Sequence, residues 1–120
     1  MKTVKIGLFD DHPLLLKGMN NYLFEKVDKA KIEFAISDKS IVLQKIATSK
    51  IDVLIMEIVA DDFSGFKLMH TIRLSYPKLK LIVYSVLKSK MLIENLRDLG
   101  VFAFVNKKQH PLNLVYAMKK

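Results

Sequence analysis

The stretch D52-VLIMEIVADDFS-G65 decides the fold, because it packs an apolar run and four acids into fourteen residues. Val53, Leu54, Ile55 and Met56 leave no polar face, so Ile51–Met56 reads as a strand buried on both sides, as in a parallel sheet covered by helices. Glu57 then stands where that strand gives way to a loop. In open α/β sheets this carboxyl end is where ligands bind. A carboxylate there must be solvated, paired or metal-bound, because an unpaired buried charge is costly.

Outward from this strand, strand and helix signals alternate. Thr3–Phe9 reads as a first strand and ends on Asp10 and Asp11. Residues 12–27 carry Leu15, Met19, Tyr22 and Leu23 at helical spacing, with Pro13 in the first turn, where proline is tolerated. Lys31–Ile36 is a second strand. Ser40 is placed to cap a helix over 41–48 whose Val42, Leu43, Ile46 and Ala47 share a face. Beyond the central strand and a loop at Ala60–Ser64, a helix starting at Gly65 carries Leu68, Met69 and Ile72 and stops before Pro77. Leu79–Ser85 is a fourth strand. Residues 88–100 form a helix with Leu92, Leu96 and Leu99 in line and Gly100 as its stop. Val101–Val105 is the fifth strand, and Pro111 opens a last helix over 112–120. Five strands alternating with five helices predict an α/β flavodoxin-like (βα)5 fold, a doubly wound five-stranded parallel sheet in the order 2-1-3-4-5.

Composition narrows the function classes. At 120 residues, 51% of them apolar and 27% charged, the chain fits one globular domain. It has no cysteine, hence no disulfide and no thiolate metal site. Neither a signal peptide nor a run of roughly 20 apolar residues is present, so a cytoplasmic protein without a membrane partner is expected. The net charge of +8 comes from 18 lysines and only Arg73 and Arg97 among arginines, scattered rather than clustered. That pattern reads as solvated helix faces; the competing reading, a basic module that binds nucleic acid directly, predicts steeply salt-dependent binding. No glycine-rich phosphate loop follows the first strand, which disfavours a flavin or nucleotide enzyme.

The fold argument brings the strand ends to one edge: Asp10, Asp11, Glu57, Ser85 and Lys107. Clustered carboxylates suit a hard cation such as Mg²⁺, and a hydroxyl and a lysine beside them suit phosphoryl oxygens. His12 reads as structural or surface, and His70 and His110 have no partners at metal-ligand spacing. Asp10 and Asp11 as helix-capping acids, and Ser85 as a turn residue, are the plainer alternatives.

These residues resemble the receiver domain of bacterial two-component response regulators, over essentially the whole chain. "DDHPLLLKGM" resembles the opening of the NarL/FixJ class, and "DVLIME", "LIVYS" and "GVFAFVNK" fall at the remaining motif positions in order. The resemblance implies a CheY-like, non-enzymatic phosphorelay domain spanning 1–120, in a class of transcription regulators that usually carries a C-terminal helix-turn-helix output domain, which is not in this chain. It implies that Glu57 occupies the phosphoacceptor position, that Asp10, Asp11, Glu57 and the carbonyl of Val59 form the metal pocket, that Ser85 and Lys107 contact the phosphoryl group, and that Phe104 holds the aromatic switch position.

The departures point to an atypical receiver. Glu57 replaces the usual aspartate, and its extra methylene carries the carboxylate about 1.5 Å further. It is expected either to imitate a phosphorylated acceptor, by pairing with Lys107, or simply to silence the domain, and to weaken Mg²⁺ binding. Asp61 stands where a proline is usual, Asp62 adds charge, Val86 is bulky after the hydroxyl, and Phe104 lacks a hydroxyl. The expected function is phosphorylation-independent, through dimerisation, a partner regulator or docking to an output domain ahead of a sensor kinase, with DNA contacted only through that output domain. The alternative is a conventional Mg²⁺-dependent phosphoacceptor, with Glu57, Asp61 or Asp62 taking the phosphoryl group.

Overall fold

The structure is a computed structural model that describes residues 3–59 and 63–120. Five strands, β1 (Val4–Phe9), β2 (Ala30–Ile36), β3 (Val53–Met56), β4 (Lys80–Ser85) and β5 (Ala103–Asn106), alternate with five helices, α1 (Pro13–Lys26), α2 (Val42–Ser49), α3 (Phe63–Ser75), α4 (Lys90–Asp98) and α5 (Leu112–Lys119). The strands form one sheet in the order β2-β1-β3-β4-β5, and every pairing is parallel. This is the expected flavodoxin-like arrangement.

Alternation along the strands divides the core in two. Ile6, Leu8, Val53, Ile55, Ile82 and Tyr84 face α1 and α5, where they meet Leu16, Met19, Leu23, Leu114 and Val115. Phe9, Leu54, Met56, Leu81 and Val83 face the other side and pack with Val42, Ile46, Met69, Ile72 and Leu96. All four β3 residues are buried, as a central strand covered on both faces requires.

The helices correct several details. On α1 the deeply buried stripe is Leu16, Met19 and Leu23, with Leu15 and Tyr22 at its margin. On α2 only Val42 and Ile46 are buried, while Leu43 and Ala47 face outward, so the apolar stripe is narrower than the sequence suggests. Ser40 does not cap α2. It lies in a 3-10 turn (Lys39–Ile41), and Asp38 Oδ1 accepts from both its amide and its hydroxyl. The helix α3 begins at Phe63, two residues before the start expected at Gly65, and buries Gly65 in its first turn. The loop expected at 63–64 is therefore helical, and its other positions, with Asp61 and Asp62, lie outside the described residues.

Two strands start two residues later than expected: β3 at Val53 rather than Ile51, and β5 at Ala103 rather than Val101. The Gly100 amide donates to the Arg97 carbonyl and the Val101 amide to the Leu96 carbonyl, so both residues close α4. Gly100 has φ +95, as this type of helix stop demands. Strand pairing begins only after those bonds are made.

Candidate functional site

The ladder extends one residue past β1, β3 and β5 and fixes where the side chains emerge. The Asp10 amide donates to Ile36 O at 3.2 Å, the Glu57 amide to Phe9 O at 3.1 Å and the Lys107 amide to Ser85 O at 2.9 Å. Ser85 pairs with Asn106 at the end of the β4–β5 register. Asp10, Glu57 and Lys107 thus project from the ends of β1, β3 and β5 onto one edge.

Two of the acids are buried in spite of their charge: Asp10 is 1% and Glu57 5% exposed. Lys107 answers both. Its Nζ donates to Glu57 Oε2 and lies 2.6 Å from Asp10 Oδ2, and its own side chain is 11% exposed. Burial alone would lower the Lys107 ammonium, but the bonds to Asp10 and Glu57 outweigh it and hold the group above its ordinary value. For Glu57, burial pushes the carboxyl up and the neighbouring Asp11 acts in the same direction, while Lys107 opposes them. The Lys107 ammonium also lies 5.9 Å from the centroid of the Tyr84 ring.

The remaining oxygens of the acids face His12. Its backbone amide donates to Asp10 Oδ1 at 3.0 Å, and its Nδ1 lies 2.6 Å from that oxygen, 2.9 Å from Asp11 Oδ1 and 3.6 Å from Glu57 Oε1. The hydrogen bond to Asp10, then the charges of Glu57 and Asp10, raise the imidazole above its ordinary value.

Ser85 is fully buried and turned toward backbone. Its hydroxyl donates to the Ile58 carbonyl and accepts from the Leu87 amide at 3.2 Å. Val59 is partly exposed and lines a cavity of about 140 Å³ with Phe9, Asp11, Ser37, Lys39 and Glu57. Phe104, half-buried on β5, packs against the α2–α4 side of the core beside a cavity of about 190 Å³. Val86 is exposed.

The sequence profile of the response regulator receiver domain matches residues 6–119. The chain belongs to the response regulator receiver family. Two relatives are the response regulator protein VraR of Staphylococcus aureus, 23% identical over 118 residues, 98% of this chain and 56% of VraR, and the DNA-binding transcriptional activator EvgA of Escherichia coli, 23% identical over 112 residues, 93% of this chain and 54% of EvgA. The receiver therefore spans about half the length of the curated relatives it matches. Its fold superposes on the isolated receiver domain of RcsB from Salmonella enterica serovar Typhimurium, determined with the phosphomimetic BeF3⁻, with a TM-score of 0.87 at 22% identity over 98% of this chain and 87% of that one. The receiver domain of NarL from Mycobacterium tuberculosis gives a TM-score of 0.84 at 19% identity, over 99% and 95% of the two chains. No helix among the described residues is long and apolar enough to cross a membrane.

The donor chemistry of this receiver fits a divalent cation. One ligand atom from each of Asp10, Asp11, His12 and Glu57 lies within 4.8 Å of the others, and the cavity beside Asp11 and Glu57 has room for water. Lys107 takes Oδ2 of Asp10 and Oε2 of Glu57, which leaves Oδ1 and Oε1 on the open side. The unexpected member is His12, which the sequence alone offers as a structural or surface residue. It is indeed 61% exposed, yet its ring nitrogen lies among the carboxylates. The available signal was its position directly after two strand-end acids, where the chain turns into α1.

Proposed function

We propose that this chain is the receiver of a transcriptional response regulator and signals through protein–protein contact without ordinary phosphorylation of its acceptor position. The observation that carries the reading is the contact between Lys107 and Glu57. By the family resemblance, Lys107 meets phosphoryl oxygens on a modified acceptor. Here the longer Glu57 carboxylate already reaches its ammonium, an ion pair that stands in for that contact. Asp10 shares the same ammonium, so the negative charge of the pocket is partly neutralised from within. The module is a signalling domain and not an enzyme.

Asp10, Asp11, Glu57 and the carbonyl of Val59 would hold Mg²⁺. Bound there, the ion supplies positive charge against phosphoryl oxygens, and Lys107 weakens its binding by occupying Asp10 and Glu57. Ser85 occupies the second phosphoryl-contact position and Phe104 the switch position, where packing alone couples β5 to α4. The relatives' greater length supports an output domain as the DNA-binding part of a whole cytoplasmic regulator, with a second copy or a partner regulator as the contact of the receiver.

The convergence of three carboxylates with Lys107 also favours a second reading, an ordinary Mg²⁺-dependent phosphoacceptor. Intact mass after incubation with acetyl phosphate and Mg²⁺ separates the two. The expected outcome is a phosphoryl adduct on Glu57→Asp and none on the wild type. An adduct on the wild type would revive the ordinary relay. Failure of both proteins to react would mean that more than Glu57 disables the pocket.

A further inference from the structure

We propose that the amino-terminal edge of the sheet carries a second binding site, which takes a small aromatic carboxylate. The site is independent of how Glu57 is read. It lies where β3 begins at Val53 and β4 at Lys80, the far ends of the strands that deliver Glu57 and Ser85.

The first support is a cavity of about 690 Å³ between the ends of α2 and α3. Sites for small organic molecules occupy about 300–1,000 Å³ and are mostly apolar, with a few placed polar groups. This one is lined by Ile46, Ala47, Ile51, Tyr76, Pro77 and Leu79. Ile46 and Leu79 are buried and Tyr76 is half-buried against the same core. The Tyr76 and Pro77 rings offer flat faces, which suit an aromatic body.

The second support is charge. Lys50, Lys78, Lys80 and Asp52 stand around the cavity. Two of these groups are engaged elsewhere: Lys80 donates to the Met118 carbonyl at 3.1 Å, and Asp52 Oδ2 accepts from the Lys5 amide at 2.9 Å. Lys50 and Lys78 have no ion pair or side-chain hydrogen bond among the described residues. Two free ammonium groups beside an apolar cavity are complementary to a carboxylate on an apolar body.

The third is the backbone of Lys50. It follows α2 at φ +47, ψ +67, a left-handed conformation that is disfavoured for any residue with a Cβ and is usually filled by glycine at a helix end. A lysine held there sets its charge at the cavity, and strain of this kind marks ligand sites. The unpaired carbonyls that end α2 repel an anion, so the carboxylate belongs at the rim beside the lysines with the ring inward.

The test is an amide-resolved NMR titration of the full 120-residue chain with naphthoate and with its neutral amide. The double variant Lys50→Gln/Lys78→Gln and the single variant Ala47→Phe are titrated alongside. All three positions are exposed, so the variants should keep the fold, which circular dichroism checks. We expect naphthoate to shift the amides of Ile46, Lys50, Ile51, Tyr76 and Leu79 and to leave those of Asp10 and Lys107 unmoved. An exposed ion pair is worth up to about fivefold in affinity, so the double variant should bind naphthoate about five- to twentyfold more weakly, and the neutral amide should bind the wild type weakly by a similar factor. Ala47→Phe, which fills the cavity, should abolish the shifts. Absence of saturable shifts at this edge, or shifts confined to the Asp10–Lys107 edge, would overturn the site. Equal binding of naphthoate and its amide, or an unchanged double variant, would overturn its preference for a carboxylate. Full binding by Ala47→Phe would place the ligand outside the cavity and overturn the assignment as well.

Discussion

Glu57 and Asp10 are tolerable in the interior because one ammonium serves both. Removing that ammonium leaves two nearly buried carboxylates facing each other, and breaking a buried ion pair by deleting one partner costs about 3–5 kcal/mol. The adjoining cavity lets water reach the site, so Lys107→Ala should lie at the lower end, about 3 kcal/mol in urea unfolding. The same substitution in a Glu57→Gln background should cost clearly less, because only Asp10 is then abandoned. Equal costs in the two backgrounds would mean that Lys107 and Glu57 are not coupled. His12 offers a second check at this scale. In metal-free buffer its ring should titrate above the ordinary 6.5, and the midpoint should fall in Glu57→Gln, where one of the charges that raise it is gone. The sign follows from the shift: a folded value above the unfolded one adds stability that is complete below about pH 6.5 and is lost as the pH rises through the folded value. A proton NMR titration of His12 that is identical in both proteins would remove Glu57 as a cause. The positions of Asp10 and Glu57 were legible because strand ends of a parallel sheet converge, whereas Lys107 stands out from Lys108 only through the family resemblance. The role of His12 was not legible, because whether a ring at a helix entrance turns outward or back over the acids depends on rotamer, and sequence spacing does not encode it.

At the level of elements, what the sequence displays is the strands, since buried strands show as apolar runs whatever surrounds them. Helix stripes and caps are less visible, because neighbours decide them. Ser40 has the composition of an N-cap, yet Asp38 two residues earlier takes its amide and hydroxyl and draws the segment into a 3-10 turn. Val101 has the composition of a strand residue, yet its amide is committed to the end of α4. Two glycines turn such context into predictions of opposite sign. Gly100 lies at φ +95, and a Cβ there would sit 2.4 Å from Arg73 Cδ. Arg73 cannot easily yield, because its guanidinium donates to the carbonyls of Gly100, Tyr76 and Leu79 at 3.0, 2.6 and 2.7 Å. Gly100→Ala should destabilise by about 1–2 kcal/mol from backbone strain alone, and more through Arg73. Gly18 sits within α1 with nothing inside 4 Å of its missing Cβ. Gly18→Ala should therefore stabilise by about 0.5–1 kcal/mol. Thermal unfolding of the two variants checks both signs, and a stabilised Gly100→Ala would contradict the helix stop described for α4.

Across the whole molecule, the question is whether a charge of +8 makes the receiver a nucleic-acid binder in its own right. Several of its cations have partners within the fold. Lys107 is held by Asp10 and Glu57, Lys80 donates to the Met118 carbonyl and stacks over Phe102 at 4.4 Å, and Lys31 lies 3.4 Å from Glu33. Arg73, one of only two arginines, is bound to three backbone carbonyls. The remaining positive charge is lysine scattered over helices and loops, with Arg97 as the one other arginine, and scattered lysine attracts phosphate without the forked geometry that reads a base edge. Such a surface can bind DNA only through counterion release, with dissociation constants of about 10⁻⁶–10⁻⁴ M at physiological salt. Fluorescence anisotropy of a labelled duplex should therefore show weak binding that vanishes as salt rises from about 50 to 200 mM, with the same curve for unrelated sequences. The folded edge around Glu57 should play no part, so Glu57→Asp and Lys107→Ala should leave that curve unchanged. Tight, sequence-dependent binding by these 120 residues would instead place a reading surface on the receiver itself, and the contact-based signalling proposed for it would have to give way.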